Sequence, residues 1–249
     1  MPRCARNKVA NSVYHIIIRG NNKEAIFKDD EDRKAYLLRV RQYMEKYKMH
    51  ILAYCLMTNH VHILIYDNDQ DISKFMQGLS LSYTIYFNHK YGRTGHLYGD
   101  RFTSVIEKGD IQLIYTSRYI HRNPVKANIV KVPLAYKWSS YKAYLRGKDS
   151  NHIINIKLVR KLITNNMKDG MKGYLQYVNS DEEIAMRDYL LNKKYAYRTD
   201  EEIAITKESD ILQEVNLRPI KKLNYEEAYS ILYTRWKQEH GENENSEYD

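Results

Sequence analysis

Along the first 150 residues the spacing of apolar positions switches between a period of two and a helical period. "SVYHIIIRG" is short and β-branched and runs into the turn-forming "GNN", which predicts a strand from about Val13 to Arg19. In "DDEDRKAYLLRVRQYMEKYKM" acids gather at the start and bases follow, the polarity a helix dipole favours, with Ala35, Leu38, Tyr43 and Tyr47 as the stripe. "ILAYCLMTNHVHILIYD" reads as one long strand or as two strands broken near Thr58 and Asn59. "DISKFMQGLSLSYTIYFNHKYG" predicts a helix capped by Asp71 and stopped by Gly92, with Ile72, Phe75, Leu79 and Ile85 facing inward. "RTGHLYGDRFTSVIEKG" is a loop feeding a strand. "DIQLIYTSRYIHRNPVKANIV" opens on an Asp cap and is helical as far as Asn123 and Pro124.

Strands alternating with helices in this order predict an α+β protein: a ferredoxin-like antiparallel sheet with helices on one face. Residues 1–150 form that domain. From about Asn151 the texture changes to a helical C-terminal region, residues 151–249, in which Ser180 to Glu183 and Thr199 to Glu202 read as capping boxes. The end, "EHGENENSEYD", reads as a disordered tail.

Charge sharpens this division. Residues 1–150 hold 25 Lys and Arg against 13 Asp and Glu, a net +12, while residues 151–249 carry −3. A basic excess confined to one domain fits a polyanion partner, for which nucleic acid is the usual candidate. The 24 tyrosines add rings that can stack on bases, although most tyrosines pack at a core rim. With only Cys4 and Cys55, a disulfide framework and a cysteine-rich zinc site are both excluded. No stretch approaches the roughly twenty apolar residues of a membrane helix, and no signal peptide is evident, so the expected location is the cytoplasm.

The chemistry concentrates in two stretches. In "MTNHVHILIY" a strand turns His60, His62 and Leu64 to one face and Val61, Ile63 and Ile65 to the other, so the imidazoles point together. Paired neutral imidazoles make a bidentate divalent-metal site, and satisfied structural histidines are the alternative. In "YTSRYIHRNPVKANIV" Tyr115, Tyr119 and Asn123 are four apart and share one helix face, whereas His121 turns away from it.

Three blocks, "TNHVHIL", "GHLYGDRF" and "RYIHRNPVKANIV", resemble the hallmark blocks of the HUH single-strand transposases, and within them the REP-associated tyrosine transposases, over about residues 8–145. The resemblance implies a ferredoxin-like nuclease in which His60, His62 and Asn123 hold one Mg²⁺ or Mn²⁺. It makes Tyr119 the nucleophile, with Tyr115 on the same face as the understudy. It also implies a single-stranded DNA partner with hairpin structure, a 5′-phosphotyrosyl intermediate and a monomer or homodimer. Thr58 stands where the family more typically has proline, and Tyr98 and Gly99 replace an aromatic residue followed by glutamine. These departures bear on DNA contacts rather than on the reaction. Arg101 and Arg118 are candidate phosphate contacts, with ordinary surface charge as the alternative. His96 and Tyr98 divide between DNA contact and packing. A nucleic-acid-binding regulator without cleavage, and a simple metal-dependent hydrolase, are the rival functions.

Overall fold

The computed structural model describes residues 11–67, 71–107, 109–167 and 169–180. Four strands form one antiparallel sheet in the order β2-β3-β1-β4: β1 is Ser12–Arg19, β2 His50–Leu56, β3 His60–Asp67 and β4 Thr103–Glu107. Helix α1, Asp30–Tyr47, connects β1 to β2, and α2, Ile72–Tyr91, connects β3 to β4. This is the ferredoxin-like arrangement that the alternation predicts. The turn at Thr58 and Asn59 splits the ambiguous apolar run into the two strands β2 and β3.

Local chemistry explains the helix ends. Asp29 accepts the backbone N–H of Asp32 while Asp32 accepts that of Asp29, a reciprocal cap on α1. Asp71 accepts the Ser73 N–H at the start of α2, and Gly92 ends that helix in the left-handed conformation. Two apolar stripes differ from those expected. Leu38 is 55% exposed and Ile85 61% exposed, while Tyr36, Leu37 and Val40 on α1 and Tyr83 and Phe87 on α2 are buried. Ile85 stands six residues from Leu79, about a third of a helical turn off the face set by Ile72, Phe75 and Leu79. Tyr83 and Phe87 continue that face instead, and with Tyr36 their rings fill the core between the two helices.

Alternation splits the sheet into two unlike faces. Ile16, Ile18, Val61, Ile63 and Ile65 turn one way and are almost fully buried in the core shared with α1 and α2. His15, Arg19, His60 and His62 turn the other way. Across this second face lies α3, Asp110–Lys126, packed against β2 and β3. Gly109, not Asp110, holds the cap position of α3; the Asp110 carboxylate accepts instead from Asn166 Nδ2. Pro124 does not end the helix, which continues to Lys126, because a proline one turn from a C-terminus forfeits only one backbone bond.

Three further helices follow: α4, Tyr141–Arg146, α5, Ile156–Asn166, and α6, Gly170–Asn179. The first compact unit of the chain runs from Met1 to Ala185, so α5 and α6 belong with the sheet, past the position where the texture of the sequence changes. The capping boxes that reach Glu183 and begin at Thr199, and the acidic tail, lie outside the described residues. Among the described residues no helix is long and apolar enough to cross a membrane.

Behind α3 runs a buried chain of hydrogen bonds. Ser117 Oγ donates to Ile114 O, which leaves it to accept from Tyr174 OH at 2.9 Å. Tyr174 OH also stands 2.9 Å from His121 Nδ1, and His121 Nε2 stands 2.7 Å from Ser140 Oγ, which accepts from Tyr54 N–H and faces Tyr54 O at 3.3 Å. Burial holds the His121 imidazole down to about 3, in its neutral form. Tyr174→Phe removes the hydroxyl that links α6 to two groups on α3, and a urea denaturation series is expected to show a loss of about 1–3 kcal/mol.

Candidate active site

The site is assembled from the ends of two central strands and one helix. In the antiparallel register Arg19 lies opposite His60, Ile17 opposite His62 and His15 opposite Leu64. His15 is therefore the diagonal neighbour of His62, within reach of a long side chain. The two rings stack with centroids 5.2 Å apart, and His15 Nε2 stands 3.0 Å from His62 Nδ1. The His60 ring meets the His62 ring nearly at right angles, 4.9 Å between centroids.

A loop fixes His60 from outside the sheet. The chain leaves β1 at Gly20, whose N–H donates to Asn59 O at 2.8 Å; a Cβ there would stand 2.2 Å from Glu24 O, so only glycine fits. Asn22 and Lys23 follow in the left-handed region and bring the Lys23 carbonyl round to Asn59 Nδ2. That bond fixes the orientation of the Asn59 amide, so its Oδ1, 2.6 Å from His60 Nδ1, must accept a proton from the ring. The Nε2 of His60 then keeps its lone pair.

The helix completes the arrangement. Tyr119 presents its ring edgewise to His62 at 5.6 Å and to His15 at 6.0 Å. One turn further on, Asn123 is 8% exposed and its side chain reaches the His60 imidazole. Tyr115, one turn before Tyr119, is partly buried. From behind, the 4% exposed Arg118 donates through Nε to Tyr177 O and through Nη2 to Ser180 O. Arg122 reaches Val178 O and Ser180 O. Both guanidiniums serve the carbonyls at the end of α6, where a cation also complements the helix dipole.

All three imidazoles at the site are neutral near neutral pH. Burial, and secondarily the Arg19 charge, brings His60 down to about 4 against a raising hydrogen bond to Asn123. Burial brings His15 to about 4, and burial with the charges of His15, His60 and Arg19 holds His62 well below its ordinary value. Neutral imidazoles are what metal binding requires. Among the described residues no group of three His, Cys, Asp or Glu side chains is arranged to hold an ion. The donors that converge are two imidazoles and the Asn123 amide. Two neutral imidazoles and an amide oxygen are a donor set that could hold a divalent cation, with water or phosphate oxygens in its remaining positions.

Residues 8–123 match the model of the IS200-like transposases. The match spans a little under half of the 249 residues and takes in all four strands and most of α3. Among solved structures, the chain is similar to a REP-associated tyrosine transposase bound to a REP hairpin: 17% identity, 61% of this chain and 90% of that one covered, TM-score 0.50. A candidate transposase from Deinococcus radiodurans R1 is also similar, at 16% identity, with 49% of this chain and 97% of that one covered and a TM-score of 0.35. None of the curated proteins matches the sequence.

Within the matched residues His60, His62, Tyr119 and Asn123 come together, and His121 stands apart in the bonded chain behind α3. Arg118 does not stand free as a phosphate contact, because it is buried with donors committed to α6. Arg101 is exposed in the loop before β4, and His96 is exposed nearby. Tyr98 is a packing residue: its hydroxyl is buried, close to Tyr36 and Tyr83. Three site residues escaped the sequence reading, namely His15, Arg19 and Asn59. The signal for two of them was present in "HIIIRG", where His15 and Arg19 share a strand face, but only the β1–β3 register brings that face to the His pair.

Four imidazoles, the buried His15, His62 and His121 and the partly buried His60, titrate lower in the folded chain than in the unfolded one. Unfolding therefore takes up protons below about 6.5, and stability present above that value is lost as the pH falls toward about 4. Glu107, pushed up by burial to about 7, acts in the opposite direction as a single group. The midpoint of urea unfolding is expected to fall between pH 7 and pH 5; a level or rising midpoint would show that the imidazoles are not neutral in the folded state.

Proposed function

We propose that the protein is a metal-dependent, single-strand DNA transposase that cleaves and rejoins DNA near hairpins through Tyr119. The observation that supports this most is the α3 face on which Tyr119 meets His62 and Asn123 reaches His60, opposite the greasy face of the sheet. One chain supplies every group, so a second copy is not needed to complete the site. The net positive charge of residues 1–150 suits a DNA partner.

The Tyr119 phenol attacks the scissile phosphorus in line. A bond forms from its oxygen to phosphorus and the bond from phosphorus to O3′ breaks, leaving a 5′-phosphotyrosine and a free 3′-hydroxyl. The phenolic proton is lost and the departing O3′ gains one. A second attack by a 3′-hydroxyl reverses this and rejoins strands, so the phosphodiester energy is retained. An ordinary phenol, with a pKa of about 10, is a weak nucleophile at neutral pH and needs a polarised phosphate. A bound Mg²⁺ or Mn²⁺ would supply that polarisation and orient the phosphate. His60, His62 and Asn123 would hold the ion, and the ring contacts of Tyr119 with His62 and His15 would hold the phenol beside it. Arg19, next to His60 and on the same face, adds a positive charge for the phosphate.

A tyrosine on a helix laid across a sheet needs an exposed, pliable phosphate, which favours single strands over duplex. The hairpin bound by the REP-associated neighbour supports a hairpin beside the cleavage site here.

Incubating the protein with hairpin-bearing single-stranded DNAs and Mg²⁺ or Mn²⁺, then resolving products on a denaturing gel, tests the proposal. A covalent protein–DNA adduct is expected for the parent, none for Tyr119→Phe, and a strongly reduced, metal-insensitive remnant for His60→Ala. DNA binding by Tyr119→Phe should match the parent. Binding without any adduct would leave a non-catalytic regulator; cleavage that survives Tyr119→Phe would point to a metal-dependent hydrolase. Arg19→Ala is expected to slow adduct formation by about 10²–10³-fold with folding intact.

A further inference from the structure

His15 lies outside the donor set, yet it makes the closest polar contact to His62 found at the site: Nε2 to Nδ1, 3.0 Å, with the rings stacked at 5.2 Å. Two ring nitrogens at that distance share one proton, which permits two arrangements. With the proton on His62 Nδ1, the Nε2 of His62 keeps its lone pair and can bind a cation. With the proton on His15 Nε2, His62 carries its own proton on Nε2 and has nothing to offer a metal. The same choice at His60 is already made by Asn59, whose amide is oriented by the Lys23 carbonyl so that it can only accept from Nδ1.

We infer that His15 is a positioning residue that holds His62 in the Nδ1–H tautomer and in the ring orientation needed for metal binding, the counterpart of Asn59 behind His60. The inference rests on the metal reading above. Its location fits the task. On β1 the side chain faces the site diagonally from His62, where strand pairing fixes its position, and Tyr119 closes over both rings at 6.0 and 5.6 Å. A partner that accepts the second ring proton of a ligating histidine also raises its basicity as a ligand, and losing such a partner typically lowers metal affinity ~10–100-fold.

Two measurements test this on the whole chain. Imidazole ¹H–¹⁵N spectra of the metal-free protein should show His62 as Nδ1–H, the tautomer that free imidazole side chains do not favour, and His15→Leu should move it to Nε2–H. Calorimetric titration with Mn²⁺ should show ~10–100-fold weaker binding for His15→Leu. His15→Gln, whose amide oxygen can stand where Nε2 stood, should retain most of the affinity. His62 found as Nε2–H in the parent would overturn the inference, and so would Mn²⁺ affinity unchanged in a His15→Leu protein that unfolds at the parent's midpoint. If His15→Leu does not fold, the parent spectrum and the Gln variant still decide. A parent with His62 as Nδ1–H that binds no Mn²⁺ would overturn the metal reading while leaving the tautomer assignment standing.

Discussion

The register between β1 and β3 carries the site. Because side chains alternate on a strand, setting Arg19 opposite His60 and Ile17 opposite His62 places one charge and three imidazoles on the same face. The isoleucines and valines between them turn toward α1 and α2. A slip of one residue would move His15 and Arg19 into an apolar core and leave His60 and His62 beside Ile16 and Ile18. Burial of those aliphatic side chains thus selects the register, at about 25 cal/mol for each Å² of apolar surface removed from water. The polar face inherits its geometry from the apolar one.

The second requirement is that α3 hold its place over that face. The helix buries few large apolar groups toward the imidazoles, and its fixing comes largely from behind. Ser117 and His121 are bonded through Tyr174, His121 continues to Ser140, and Arg118 and Arg122 hold the last carbonyls of α6. A buried polar network of this kind is costly unless every member is satisfied, and here Ser117, Tyr174, His121 and Ser140 each have a partner. It has a directional value that apolar packing lacks, since a helix held by bonds at successive turns can neither rotate nor slide without breaking several. α6 therefore works at a distance, as the brace that keeps Tyr119 and Asn123 aimed at the sheet.

Electrostatics at the site follow from these placements. Removing water from three adjacent imidazoles, with a guanidinium nearby, disfavours a proton on any of them. The pocket is thus left with uncharged nitrogen donors and one amide, and Arg19 provides its fixed positive charge. An anionic phosphate and a divalent cation suit such a pocket far better than a second cationic side chain would.

Much of this was legible from the sequence. Strand and helix order, the Asp71 and Gly92 helix ends, the inward turn of the His pair and the common face of Tyr119 and Asn123 all follow from periodicity and capping, which act over a few residues. The errors share a cause. Leu38 and Ile85 look like core residues in a local window, but Tyr36, Tyr83 and Phe87 fill the space between the two helices and the sheet. Arg118 looks like a surface charge because nothing near it in sequence reveals the carbonyls of α6, some sixty residues later. By itself the chain determined which residues have reactive chemistry and which local face each occupies, because those depend on side-chain type and backbone repeat. Only the tertiary structure decided that His15, Arg19 and Asn59 join them and that α6 braces the tyrosine helix, because strand register and helix docking are set by burial between segments distant in sequence.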